Sequence, residues 1–297
     1  MKVLVIYNPA SGALGRRSRP AAIQRFLTEK GVQWRWHTTS AGGTAAACRR
    51  LFDDSLDRII VVGGDGTIRE VAQELIDRDM SLPLAIVPQG SGNVLAKTLG
   101  IPRLSLKRAL AVALGDERVP LDVLRINRRY VALVGAGQGY DVVLMGHVTR
   151  TLKRCLGFGA YVLSFLRSFA RAGVNGYVVT VDGKRMYLSA SIVVALNAFS
   201  PGKFLVDHVI SPHDGCVNVF AVRARSAWDV FRQALRCLSR RTGLPPGVTV
   251  FTARRRISIR QRHSSRIQFD GDVMKGKSLT IDILPRKLVF IVPRKRA

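Results

Sequence analysis

Acidic residues are scarce in this chain: 20 Asp and Glu stand against 47 Lys and Arg among 297 residues, a formal net charge of +27. Too few carboxylates are present to neutralise that field, which selects phosphates, nucleic acid or anionic lipid headgroups as a class of partner without choosing one. Cysteine is sparse too. Cys48, Cys155, Cys216 and Cys237 lie far apart with no C-x-x-C pair, which excludes a zinc framework and a disulfide scaffold and leaves ordinary reduced thiols. Long apolar runs are missing. VLVIY at the N-terminus is shorter than a signal-peptide core, and no apolar stretch reaches the length of a membrane-spanning helix. A mature cytosolic chain is expected. The basic runs RRTG (240 to 243), ARRRISIRQRHSSR (253 to 266) and PRKRA (293 to 297) lack aromatic interleaving.

With 47% hydrophobic composition, the length suits two domains. In the first third, short apolar runs alternate with amphipathic stretches. KVLVIY, VQWRW, RIIVV and LAIVP read as strands, and helices are expected from about Pro20 to Lys30, from about Thr44, from Thr67 to Ile76, and near Ser105 to Gly115. Such alternation predicts a mostly parallel sheet covered by helices, with ligands at the carboxyl ends of its strands. Beyond residue 118 the pattern changes. YVALVGA, GYVVTVDG, YLSASIVVALN, VNVFAV, ISIR and LTIDIL read as strands of a mainly antiparallel domain, with helices near 150 to 172 and 226 to 242. The expected division is 1–118 and 119–297, the last strand packing back on the first domain.

Three glycine clusters, NPASG (8 to 12), GGDGT (63 to 67) and QGSGN (89 to 93), each directly follow a strand. Glycine-rich turns between strand and helix let backbone N–H groups approach a phosphate, aided by the helix N-terminus. Asp65, among those glycines, repels phosphate unless it holds magnesium, accepts a proton from an attacking hydroxyl, bonds a ribose, or simply caps the turn. Two better-known phosphate motifs are absent: GSGNVLAKT (90 to 98) lacks the adjacent Gly-Lys pair of a P-loop, and GAGQGY (135 to 140) lacks the last glycine of the dinucleotide fingerprint.

Taken in order, YNPASG (7 to 12), HTTSAGGTA (37 to 45), VVGGDGTIREV (61 to 71), IVPQGSGNVLAKTLGIP (86 to 102), GAGQGYDVVLM (135 to 145), SPHDGCVNV (211 to 219) and FDGD (269 to 272) resemble the diacylglycerol kinase catalytic-domain family, which includes bacterial lipid kinases and the sphingosine and ceramide kinases. The resemblance implies an N-terminal NAD-kinase-like or phosphofructokinase-like α/β nucleotide domain, a C-terminal antiparallel β-sandwich, ATP in the cleft between them, and phosphoryl transfer from Mg-ATP to a lipid hydroxyl. Asn8, Pro9, Ser11 and Gly12 then match a first nucleotide loop, and Thr39 a nucleotide contact. Gly63, Gly64, Asp65, Gly66, Thr67 and Arg69 match the phosphate loop; Gly90, Ser91 and Asn93 line the nucleotide. Val94 stands where many bacterial members carry aspartate.

The same resemblance places the general base either on Asp65 or on the late motif Asp270, Gly271, Asp272, where Asp replaces the usual Glu. We expect Asp272 to accept the proton, with Asp270 and Asp65 supporting metal and acceptor; a plain hairpin turn is the competing reading of FDGD. A structural Mg2+ turn maps to Asp214, Ser211 and Cys216, with His213 replacing one acid and weakening the donor set. The segment 153 to 173 is a core-facing helix or an interfacial one beside a lipid entrance. ATP, Mg2+ and a lipid substrate at an anionic membrane surface are the expected partners, with a homodimer as a candidate assembly, no specific nucleic acid, and a cytoplasmic chain reversibly associated with the inner face of the cell membrane. Rival readings are an NAD kinase, which shares GGDGT, a basic nucleic-acid-binding protein, and a catalytically weak nucleotide or lipid sensor.

Overall fold

The structure, a computed structural model, describes residues 1–11, 20–40, 50–139, 174–198, 210–226, 228–229, 244, 246–261 and 266–294. Gly12, the segment 153 to 173, the expected helix at 150 to 172 and nearly all of that at 226 to 242 lie outside them. The chain divides into two compact units, Met1–Val123 with Pro285–Ala297, and Leu124–Leu284.

In the first unit, strands β1 (Lys2–Tyr7), β2 (Gln33–Thr38), β3 (Arg58–Gly63) and β4 (Leu84–Pro88) pair in parallel in the order β2-β1-β3-β4. Strands β1, β3 and β4 are continuous apolar runs because both faces are covered. Val3, Val5, Tyr7, Ile60, Val62, Ala85 and Val87 pack against Ile23 and Leu27 of helix α1 (Pro20–Glu29). Helix α2 (Asp65–Asp77) follows β3 and buries Ile68, Val71, Ala72 and Leu75. After β4 come the short α3 (Val94–Thr98) and α4 (Leu106–Ala113), whose N-cap Ser105 accepts the N–H of Arg108 at 3.3 Å. All the strands run the same way, so the loops after β1, β3 and β4 share one edge.

The second unit is two antiparallel sheets around one apolar cluster. One has β7 (Gly135–Gly139), β10 (Ile192–Leu196), β11 (Val217–Val222), β12 (Val248–Ala253), β14 (Arg266–Phe269) and β15 (Asp272–Lys275), in the order β12-β11-β10-β7-β14-β15. The other has β8 (Asn175–Val181), β9 (Lys184–Ala190) and β13 (Arg256–Gln261), with β13 paired to the start of β16 (Ser278–Ile291). Strand β5 (Arg118–Ile126) leads in and pairs with β6 (Tyr130–Ala132).

Two sequence readings change. YLSASIVVALN is not one strand: it breaks at Ser191 into β9 and β10, which belong to different sheets. The Ser191 hydroxyl, buried at the bend, donates to the carbonyl of Ala224 at 2.8 Å and accepts its N–H at 3.1 Å, meeting the polar demand a broken ladder creates. GAGQG is strand β7. A Cβ on Gly135 would lie 2.5 Å from the carbonyl oxygen of Ala195 on β10, so glycine there serves strand packing.

Candidate active site

The loops after β1, β3 and β4 interlock. The N–H of Asn8 donates to the carbonyl of Val62 at 2.9 Å, its Oδ1 accepts the N–H of Ala10 at 2.9 Å, and its Nδ2 donates to Oγ1 of Thr67 at 2.8 Å. Oγ of Ser11 accepts the N–H of Gly64 at 3.3 Å. Asn8, Ser11, Gly64 and Thr67 are thus brought together, Asn8 and Ser11 as braces for the loop after β3. Pro9 lies within the braced turn. Thr39 is buried and anchored through its N–H to the carbonyl of Tyr7 at 2.8 Å.

The loops after β3 and β4 touch backbone to backbone. A Cβ on Gly90 would sit 2.6 Å from Cα of Gly64, and one on Gly64 3.1 Å from Cα of Gly90. Neither neighbour is a side chain that can swing away, so Gly90 requires glycine, and a Cβ on Gly64 fits only if the Gly90 backbone gives way. Asn93 takes the left-handed conformation, φ 46°, that Asn tolerates. Its amide brackets Gly90, Oδ1 accepting the N–H at 2.8 Å and Nδ2 donating to the carbonyl at 2.6 Å. Asn93 is therefore the clasp of its own loop, while Ser91 is exposed at the tip.

Asp65 begins α2, and its carboxylate reaches across to α3, Oδ2 accepting the N–H of Val94 and Oδ1 that of Leu95, both at 3.1 Å. Among glycines it therefore ties the second loop to the third and caps α3, a bond that needs only the backbone of Val94, whatever its side chain. At the start of α2 itself, Gly64 supplies no side-chain cap, and Gly66 is exposed, with nothing within 4 Å of a Cβ built there. The first N–H groups of a 13-residue helix with its positive dipole end thus stand at an open place where an anion is stabilised. Arg69, half-buried, follows one turn later.

Two residues were not marked as candidates from sequence. Gln89 is only 5% exposed, and neither atom of its amide has a hydrogen-bond partner; its signal is a polar residue between an apolar strand and a glycine. Asp122, fully buried in β5, accepts the N–H of Arg286 at 2.8 Å; its signal is a lone acid within PLDVLRI.

In the second unit FDGD is a two-residue hairpin joining β14 to β15. Asp270 and Gly271 both have positive φ, 47° and 95°, the requirement of a type I′ turn. The Asp270 carboxylate is occupied by backbone. Its Oδ2 accepts the N–H of Leu133 at 2.7 Å, and Oδ1 those of Val134 and Gly135, each at 2.9 Å. By these bonds Asp270 fixes the strand-to-strand loop at 133–135. Asp272, at the start of β15, is exposed.

In the turn expected to hold a structural Mg2+, Oδ1 of Asp214 accepts the N–H of Cys216 at 2.8 Å, an Asx turn. No group of three or more His, Cys, Asp or Glu side chains that could hold a metal gathers among the described residues. One carboxylate with the carbonyls of Ser211 and Cys216 is a thin donor set for a hard dication, which takes six or so oxygens. The residues present do not by themselves fit a protein-held metal there.

A parallel α/β unit whose glycine loops converge at the carboxyl edge beside an uncapped helix, joined to an antiparallel sandwich, defines a phosphate-handling, kinase-type protein. Residues 2–126 match the diacylglycerol kinase catalytic domain, and residues 134–292 match the YegS C-terminal NAD kinase beta sandwich-like domain. The chain belongs to the diacylglycerol kinase catalytic-domain family. It is 25% identical to the diacylglycerol kinase of Bacillus subtilis (strain 168), over 99% of this chain and 97% of that one. A solved diacylglycerol kinase structure from Bacillus anthracis str. Sterne superposes with a TM-score of 0.72 at 20% identity, covering 98% of this chain and 97% of its own. A second chain from that organism gives 0.79 at 22%, with the same coverage. These structures establish the fold. No helix among the described residues is long and apolar enough to cross a membrane.

Proposed function

We propose that this protein transfers the γ-phosphoryl group of ATP to the hydroxyl of a membrane lipid, diacylglycerol being the acceptor that fits its relatives' names. The observation that carries the reading is the open start of α2, which has no side-chain cap and lies where the glycine loops after β3 and β4 pack backbone to backbone. Gln89 adds a second fit. Its buried amide lacks partners, a state that costs about 1–3 kcal/mol per unmet group and that a polar ligand relieves.

In this mechanism the N–H groups of Asp65, Gly66 and Thr67 hold phosphate oxygens, and Asn8, Ser11 and Asn93 keep those donors in place, so that little reorganisation accompanies transfer. Mg2+ carried with ATP supplies neutralisation of the β and γ phosphates. For the proton leaving the acceptor hydroxyl we assign Asp272, whose exposed carboxylate directly follows a rigid turn. Asp65 and Asp270 act as positioning residues through the loops they hold.

The test is transfer from labelled ATP with magnesium to a lipid panel in anionic mixed micelles, with NAD as a parallel acceptor. Labelled diacylglycerol, lost in Asp272→Asn while ATP binding persists, is the expected result. Label on NAD and on no lipid would overturn the proposal.

A further inference from the structure

The second unit carries an exposed face that the phosphoryl-transfer reading does not use. Along β8 and β13, Tyr177, Val179, Val181, Ile257 and Ile259 point into the core, so the alternate residues face outward. Register sets Arg185, Thr180 and Ser258 in one outward row and Tyr187, Val178 and Arg260 in the next. Tyr187 is 76% exposed, with the Arg185 guanidinium 5.4 Å from its ring centre. At the end of this face the exposed Arg254 and Arg255 extend the positive charge. Among residues 175–190, 254–261 and 278–284 the only acids are Asp182 and Asp282. Asp182 accepts the N–H groups of Arg254, Arg255 and Arg256 at 2.7, 2.8 and 2.9 Å, and Asp282 pairs with Arg256.

We propose that this outward face of β9, β8 and β13 is the surface by which the protein docks on an anionic lipid interface. Arginine and lysine at the surface of an anionic leaflet gain about 1 kcal/mol each. A tyrosine with an apolar ring and a polar tip suits the boundary between headgroup and acyl chain. Strand β9 is the edge of its sheet, and Lys184 and Arg185 on it oppose pairing with a second copy by like charge, the device by which edge strands avoid addition. The inference rests on the lipid-kinase reading for its purpose, not for its measurement.

The experiment is co-sedimentation of the whole chain with phosphatidylcholine vesicles made with and without phosphatidylglycerol, across a salt series. The proteins are wild type, Tyr187→Ala, the triple variant Arg185→Ala/Arg254→Ala/Arg255→Ala, and a control, Arg25→Ala, on α1. At about fivefold per charge, the triple variant loses on the order of 100-fold in affinity for anionic vesicles and shows a shallower salt dependence. Tyr187→Ala binds several-fold more weakly with the salt dependence unchanged, and Arg25→Ala binds as wild type. All four should phosphorylate a water-soluble short-chain diacylglycerol equally, which also reports folding. Wild-type vesicle binding by both Tyr187→Ala and the triple variant, or equal wild-type binding to uncharged vesicles, overturns the docking surface and leaves the kinase reading standing. Vesicle binding lost in the triple variant, with no wild-type transfer to any lipid, keeps the surface and removes the kinase reading. A single-stranded oligonucleotide that displaces the vesicles and itself loses affinity in the triple variant would reassign the face to nucleic acid.

Discussion

Asp270 separates two kinds of explanation for an essential carboxylate. Replacing it by alanine removes three charge-assisted hydrogen bonds and leaves the N–H groups of Leu133, Val134 and Gly135 without their acceptor. It also places alanine at φ 47°. Each bond to a charged group contributes about 1.5–3 kcal/mol when isolated, and left-handed backbone costs an ordinary residue about 1–2 kcal/mol. Sharing of one carboxylate and partial solvent access reduce the sum, so about 4 kcal/mol is expected, or about 10 °C in melting temperature for a unit this size. Asp270→Asn keeps the turn and one acceptor oxygen but presents an NH2 group to a donor, and should lose about half as much. Asp272→Asn should lower the melting temperature less than either Asp270 variant, since its side chain is exposed and it leaves the turn residues Asp270 and Gly271 in place.

The assay is thermal unfolding followed by circular dichroism, beside lipid phosphorylation. Asp270→Ala should lose stability and activity together, Asp270→Asn should be intermediate in both, and Asp272→Asn should lose activity with the smallest loss of stability. An Asp270→Ala protein as stable as wild type but inactive would refute the positioning assignment and return Asp270 to the chemistry.

Gly90→Ala forces its Cβ against the backbone of Gly64; it should cost about 1–3 kcal/mol of stability and abolish ATP binding by calorimetry. Gly66→Ala, with open space at its Cβ, should stabilise the ligand-free protein by about 0.5–1 kcal/mol and yet weaken ATP, a split that thermal shift with and without nucleotide reads directly. Asp65→Ala uncaps α3 and should cost about 1 kcal/mol, with Asp65→Asn milder and ATP affinity following the same order. Asp182 titrates below the usual carboxylate range: burial pulls its pKa up, but the N–H groups of Arg256, Arg254 and Arg255 and the Arg255 charge pull it down further. A depressed folded pKa contributes stability above the unfolded value near 3.9 that is lost as pH falls through the folded value, so Asp182→Asn should flatten the acid limb of stability below about pH 4.

The parallel strands were legible because β1, β3 and β4 are buried on both faces and so read as unbroken apolar runs, and the turn residues after them marked the site edge. The helix of 65–77 was placed within two residues of its start. What could not be read depends on contacts distant in sequence. Nothing in YLSASIVVALN announces that Ser191 bonds Ala224 and turns the chain into another sheet. The Gly64–Gly90 contact and the Asp65 bridge to α3 join segments 25 or more residues apart. Sequence brought these residues forward as candidates, but the division between those that hold the loops and those left open at the loop edge is set by tertiary geometry.

The chain contains its own control for the FDGD motif. VDGK, residues 181 to 184, is a second two-residue Asp-Gly hairpin, with φ 47° at Asp182 and 92° at Gly183 against 47° and 95° at Asp270 and Gly271. In both, the first aspartate gathers three successive backbone N–H groups from a neighbouring turn, 254–256 in one and 133–135 in the other. VDGK belongs to none of the motifs that carry the family resemblance, so aspartate and glycine at these places are explained by the hairpin and its anchoring alone. The hairpins differ at the fourth residue, Lys184 in one and Asp272 in the other. Asp272 is what the late motif adds to the shared hairpin, which is why the proposal assigns the proton to it rather than to Asp270.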